Sequence, residues 1–350
     1  MTTPKTDIDS APQAAVPGAA FTDASCYHAT LGTLLLEHDG RAEPATVLGN
    51  TAATRARRTQ DGPVFGDLVP ALIDSMAARG HRVVRGRLAD EDGWGGLTAA
   101  LHAGDPLVVV VDTFHLDHYW LDRGRVHALH ALTLRQFNPA DGTVRLTDAV
   151  DVTFVDNRVP LADLEPALLG SDIGQGWLEV ADWGPVAGTV GVGSPKELQV
   201  HAAALSGCGG EELSGVELAA YLSDSLDRLF ELTPRLARPD ARGGADDERR
   251  RVTRLMRGMW NYHHTLRWFA RYLLALPAAD DTRPTAAAVE RASQDWLAAR
   301  SMLLHSGLAS PARTARYRDE VARRLGRVAG DLQAAGELLG GGPEVPAWEG

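Results

Sequence analysis

The chain has 350 residues, 44% of them hydrophobic, which is ample for one large core or two moderate ones. A net charge of −11 argues against general nucleic-acid binding, and no apolar run approaches the roughly 18 residues that a membrane span needs. Two cysteines, Cys26 and Cys208, are too few for a disulfide framework and suit a reducing compartment, so a soluble cytoplasmic protein is expected.

Residues 1–20 are polar and rich in Ala, Pro and Thr with no apolar core, and read as a disordered tail, not a signal peptide. Cys26 follows in Phe21-Thr22-Asp23-Ala24-Ser25-Cys26-Tyr27-His28. The stretch Ala29 to Leu36 after it reads as a helix, with Leu31, Leu34 and Leu35 at helical spacing, Gly40 past its end, and Asp23 or Ser25 as possible caps. A thiol in the first turn of a helix feels the positive end of the dipole, which favours thiolate. Cys26 is therefore a candidate nucleophile, with a buried structural cysteine as the plain alternative.

Phe65 to Arg79 reads as a second amphipathic helix, His81 to Gly86 as a short strand and Gly96 to Ala103 as a short helix. Leu107 to Val111 is a β-branched run typical of a buried strand. A second strand begins near His127 or His130 and ends at Phe137; the reversal signals Asn138-Pro139-Ala140-Asp141-Gly142 follow, and Thr143 to Thr147 runs back to Asp148. If these two strands pair as a hairpin, His130 lies near Asp148. Imidazole and carboxylate could then act as base and orienter of a Cys-His-Asp site. His127 stays a rival base. His115, His118, His127 and His130 fall close together, but neither an HExxH helix nor a paired CxxC supports a metal, and no cofactor-binding motif is seen.

The glycine-punctuated segment Val186 to Pro195 reads as a domain boundary. Helical periodicity follows in Leu213 to Leu232, Arg249 to Leu276, Thr285 to Ser306 and Pro311 to Leu339, which suggests a bundle. Pro239 to Asp247 reads as a charged loop, and Cys208 as a non-catalytic thiol in a flexible one. The arginines around Arg249 to Arg257 and Arg313 to Arg327 are either a solvated face interleaved with acids or a docking surface for an acidic partner. The expected organisation is a tail (1–20), an α+β domain (21–190), an all-α helical domain (196–340) and a loose end (341–350).

Three segments together resemble the butirosin biosynthesis protein H family: Ser25-Cys26-Tyr27-His28-Ala29-Thr30, Val110-Val111-Asp112-Thr113-Phe114-His115-Leu116, and His127-x-x-His130 leading to a strand that returns to Asp148. The resemblance covers residues 20–190 and extends over 200–340 only in length and helical character. It implies a papain-like cysteine-protease fold, related to bacteriocin-processing peptidases, followed by an all-α bundle. It also implies acyl transfer from an acyl or peptidyl carrier protein thioester, with its phosphopantetheine on the substrate side, to an amine in antibiotic biosynthesis. In that family's pattern Cys26 is the nucleophile, His130 the base and Asp148 the orienting acid. The chain departs from the pattern after Leu116, where Asp117-His118-Tyr119-Trp120 replaces an apolar or Pro-containing turn. The same triad with water as acceptor would make a peptidase, amidase or thioester hydrolase, and a degenerate site would leave an inert carrier-protein partner. The backbone N–H of Cys26 is a natural oxyanion donor; upstream, only Thr22 and Ser25 offer side chains. No nucleic-acid or membrane partner is expected, and a homodimer is possible.

Overall fold

The computed structural model describes residues 25–40, 43–49, 55–60, 62–88, 92–119, 123–124, 127–150, 153–169, 176–184, 192–207, 209–233 and 245–340. Both expected tails, Thr22, Asp23, Trp120, Cys208, residues 186–191 of the expected boundary and residues 239–244 of the expected loop lie outside them. The described residues form a mixed α+β structure, with a sheet region and a C-terminal helical part.

The chain divides into two compact units, and the division is not the linear one expected near residue 190. The first unit comprises residues 1–41 and 84–181; the second takes 42–83 together with 182–350. The reason lies in what 42–83 packs against. Strand β1 (Ala56–Arg57) pairs with β2 (Val64–Phe65) on one side and with β9 (Glu212–Leu213) on the other. Phe65 meets the rings of Tyr262 and Trp296 at centroid distances of 6.3 and 6.4 Å. A side chain at Gly258 would collide with Phe65, so the bare backbone there admits the ring.

In the first unit, α1 (Cys26–His38) is buried nearly all round its middle, from His28 to Leu35, as an interior helix must be. Among the described residues a six-stranded sheet has the order β3-β8-β4-β5-β6-β7. Its strands are β3 (Arg82–Arg87), β4 (Leu107–Asp112), β5 (Leu129–Asn138), β6 (Thr143–Val150), β7 (Thr153–Pro160) and β8 (Gly176–Asp182). The apolar run of β4 is buried at every residue, which suits a central strand flanked by β8 and β5. The expected hairpin forms between β5 and β6. Gly142 adopts φ 69°, its N–H donates to the Asn138 carbonyl at 2.9 Å, and the Asn138 and Asp141 side chains accept from Ala140 and Thr143 N–H. Strands β7 and β8 have no counterpart in the sequence reading. Leu97, Leu101, Leu132, Leu134, Leu146, Leu168 and Trp177 pack one core here.

In the second unit the long helices α9 (Ala245–Ala275), α10 (Ala279–Ser306) and α11 (Pro311–Gly340) pack around Tyr262, Phe269, Tyr272 and Trp296, all fully buried. The Trp296 indole N–H donates to the Met259 carbonyl at 2.8 Å, so its polar edge is satisfied inside the core. The single helix expected over 213–232 is instead β9, α7 (Gly215–Asp224) and α8 (Leu226–Leu232), broken at Ser225, whose hydroxyl and N–H both turn back to Tyr221. Helix α10 begins before Pro284, not after it, with Asp280 and Asp281 in its first turn. Several arginines of the second cluster are ion-paired: Arg318 with Asp227, Arg323 with Glu320, and Arg324 and Arg327 with Asp295, both at 2.7 Å. That pairing fits the interleaved face.

Candidate active site

Ser25 caps α1: its backbone is extended at ψ 151°, and its hydroxyl accepts from His28 N–H at 3.3 Å. Cys26 is thereby the first residue of the helix, half-buried at the dipole's positive end. The Ser25 hydroxyl also lies 2.7 Å from His28 Nδ1, so the cap engages both the backbone and the ring of His28. Cys26 N–H, among the orphan donors of a helix start, stays the backbone candidate.

Helix α1 is held against β5 by Thr30, whose hydroxyl donates to the Ala131 carbonyl at 3.2 Å. This contact brings Cys26 to the start of β5, where His130 and the Ala131 N–H act on its thiol. His130 Nε2 in turn donates to Asp148 Oδ1 at 2.6 Å. The register accounts for this: Thr133 faces Thr147, so Asp148 falls two positions along the pair from His130, on the same face. His130 and Asp148 are therefore directly hydrogen-bonded, and the Cys26 thiol lies within the electrostatic reach of both.

Burial by itself would raise the Cys26 thiol, but the hydrogen bond and charge of His130, with the Ala131 N–H, bring it below its reference value of 9.0. Burial likewise opposes the imidazolium of His130. The charge of Asp148, its hydrogen bond and the Cys26 sulfur override that and raise His130 from 6.5 to about 10. Asp148 is held low against its own burial by His130 and by His118. Each shift favours the charged form. Together they act toward a thiolate–imidazolium pair anchored on a carboxylate.

Two site residues were missed in the sequence, and both lie in the segment that departs from the family pattern. His118 Nε2 stands 2.8 Å from Asp148 Oδ2, so the carboxylate is shared by two histidines. The Tyr119 hydroxyl rests against the His130 imidazole, 2.8 and 3.0 Å from its two nitrogens, with ring centroids 4.7 Å apart. The signals were the polar and aromatic composition of that turn and, for His118, its place among four histidines close in sequence.

His127 goes elsewhere. Its Nδ1 lies 2.6 Å from Asp112 Oδ2, and its ring stacks on Phe114 at 4.1 Å and 8°. Val111 faces His130 across β4 and β5, so the next residue, Asp112, points to the opposite side of the sheet. Of the two rival bases, His130 is the one that meets Asp148 and lowers the Cys26 thiol. Compared with known proteins, the chain matches no family model and no curated protein.

Proposed function

We propose that this α+β unit is the catalytic unit of a cysteine-nucleophile enzyme with a papain-like arrangement. More specifically, we infer an acyltransferase of the butirosin biosynthesis protein H kind, which moves an acyl group from a carrier-protein thioester through Cys26 to an amine. The 2.6 Å His130–Asp148 hydrogen bond beside the Cys26 thiol at the start of α1, with the thiol lowered and the imidazole raised, is the observation that carries this reading. The preference for transfer over hydrolysis rests on the resemblance of residues 20–190.

The Cys26 thiolate attacks the thioester carbonyl, and a C–S bond forms as the carbonyl π pair moves to oxygen. Cys26 N–H is placed to meet that oxyanion. The tetrahedral adduct collapses, the bond to the pantetheine sulfur breaks, and His130 gives its proton to the departing thiolate. Exchange of one thioester for another is nearly isoenergetic, so this step needs positioning more than driving force. The amine then attacks acyl-Cys26, neutral His130 takes its proton, and the amide leaves as the thiolate–imidazolium pair is restored. Asp148 holds the imidazole's orientation and stabilises its cation throughout.

The test is release of free carrier thiol from a panel of acyl thioesters, with and without candidate amines. Transfer predicts release that accelerates with amine and yields amide product, and its loss in Cys26→Ala. Release at one rate regardless of amine, with free acid as product, would make the enzyme a hydrolase; no release from any donor would leave an inert partner.

A further inference from the structure

Asp148 presents a problem of orientation that the Cys-His-Asp chain does not itself solve. Its side chain is fully buried, and the terminal torsion of a carboxylate is broad and roughly two-fold, so rotamer preference does not fix its plane. A donor on one oxygen leaves the plane free to swing about that bond. In this structure each oxygen has its own donor: His130 Nε2 on Oδ1 at 2.6 Å and His118 Nε2 on Oδ2 at 2.8 Å. The second donor comes from a separate, well-anchored segment. Asp112 caps the 3-10 turn Thr113–His115, Leu116 N–H and Tyr119 N–H close successive turns at 3.1 Å, and Leu116 is buried beneath them. The same segment sets Tyr119 against the His130 ring, so adjacent residues reach the two ends of the His130–Asp148 bond.

We propose that His118 is a positioning residue: by donating Nε2–H to Oδ2 it fixes the carboxylate plane of Asp148, and through it the imidazole that holds Cys26 as thiolate. The inference rests on reading Cys26 as the nucleophile and adds a fourth member to that site. The groups facing Asp148 are His130 and His118, and those facing His118 are Asp148 and Tyr119. Without His118, Oδ2 would be a buried carboxylate oxygen lacking this donor, and the group would turn or draw a proton to recover one.

The test compares His118→Ala with His118→Gln in the full chain, both in a Cys208→Ser background. Gln keeps an N–H donor near the Nε2 position. The readout is the rate of Cys26 alkylation by iodoacetamide from about pH 5 to about pH 10, followed by intact mass, which needs no substrate. Alanine is expected to slow alkylation at about pH 6 by about tenfold and move the profile to higher pH, the scale of losing one hydrogen bond to a charged group. Glutamine should restore most of the rate. Should the alanine variant not fold, His118→Met, which fills the space without a donor, takes its place. An alanine or methionine profile superimposable on wild type would overturn the proposal, as would a folded glutamine variant as slow as alanine. Those outcomes differ from an ordinary-thiol profile in the wild type, which would remove the thiolate itself and the proposed function with it.

Discussion

At Cys26 and His130 the pH dependence follows from the direction of each shift. His130 is raised from 6.5 to about 10, so its cation contributes stability fully below pH 6.5, and the contribution is lost as pH rises through about 10. Cys26 is lowered from 9.0, so its thiolate contributes above 9.0 and loses that contribution as pH falls through its folded value. Asp148 behaves likewise from 3.8 downwards. Both shifts widen the pH range over which thiolate and imidazolium coexist. Alkylation of Cys26 at about pH 7 should run near its plateau, whereas an ordinary thiol would be only a few per cent thiolate. Replacing Asp148→Asn removes the charge that sustains His130, an effect of about 1–3 pH units on a neighbouring group, and should slow that alkylation at least about tenfold. An unchanged rate would detach Asp148 from the thiolate. Cys26, His130 and Asp148 were legible as candidates at this scale because each stands beside a strong local signal. His118 and Tyr119 were not, because they lie in an irregular turn whose direction depends on the Asp112 cap and the burial of Leu116.

Helix α1 and the β5–β6 hairpin are the elements that assemble the site. The cap at Ser25 starts the helix at the residue before the nucleophile, so Ser25→Ala should cost about 1 kcal/mol, seen as a fall of a few degrees in Tm. A variant as stable as wild type would show that tertiary packing, not the cap, sets the helix start. The hairpin was readable because Asn138-Pro139 and Asp141-Gly142 mark the reversal, whereas the register shift between Arg135 and Asn138 was not. β7 and β8 were not readable. Thr153–Pro160 mixes Asp, Asn and Arg with Val, as an edge strand does, and Gly176–Asp182 lacks the β-branched run that exposed β4. The break at Ser225 was hidden for a similar reason, since Leu222, Leu226 and Leu229 keep helical spacing across it.

For the whole molecule, the C-terminal helices were visible in their periodicity, but the assignment of residues 42–83 to their unit was not. That membership depends on pairings such as Ala56 with Leu213 and on a single ring, Phe65, set against Tyr262 and Trp296; sequence distance conceals both. Phe65→Ala should therefore destabilise the helical unit, by about 2–3 kcal/mol for a partly buried aromatic, and speed hydrogen exchange in α9 and α10. Faster exchange confined to 55–65 would contradict the shared core. The account as a whole turns on a covalent intermediate at Cys26. Intact-protein mass spectrometry after incubation with carrier-bound or small acyl thioesters, comparing wild type with Cys26→Ala, tests it most directly. The predicted result is an acyl adduct on wild type alone, which an amine discharges to amide; no adduct from any donor, with Cys26 slow to alkylate at neutral pH, would contradict it.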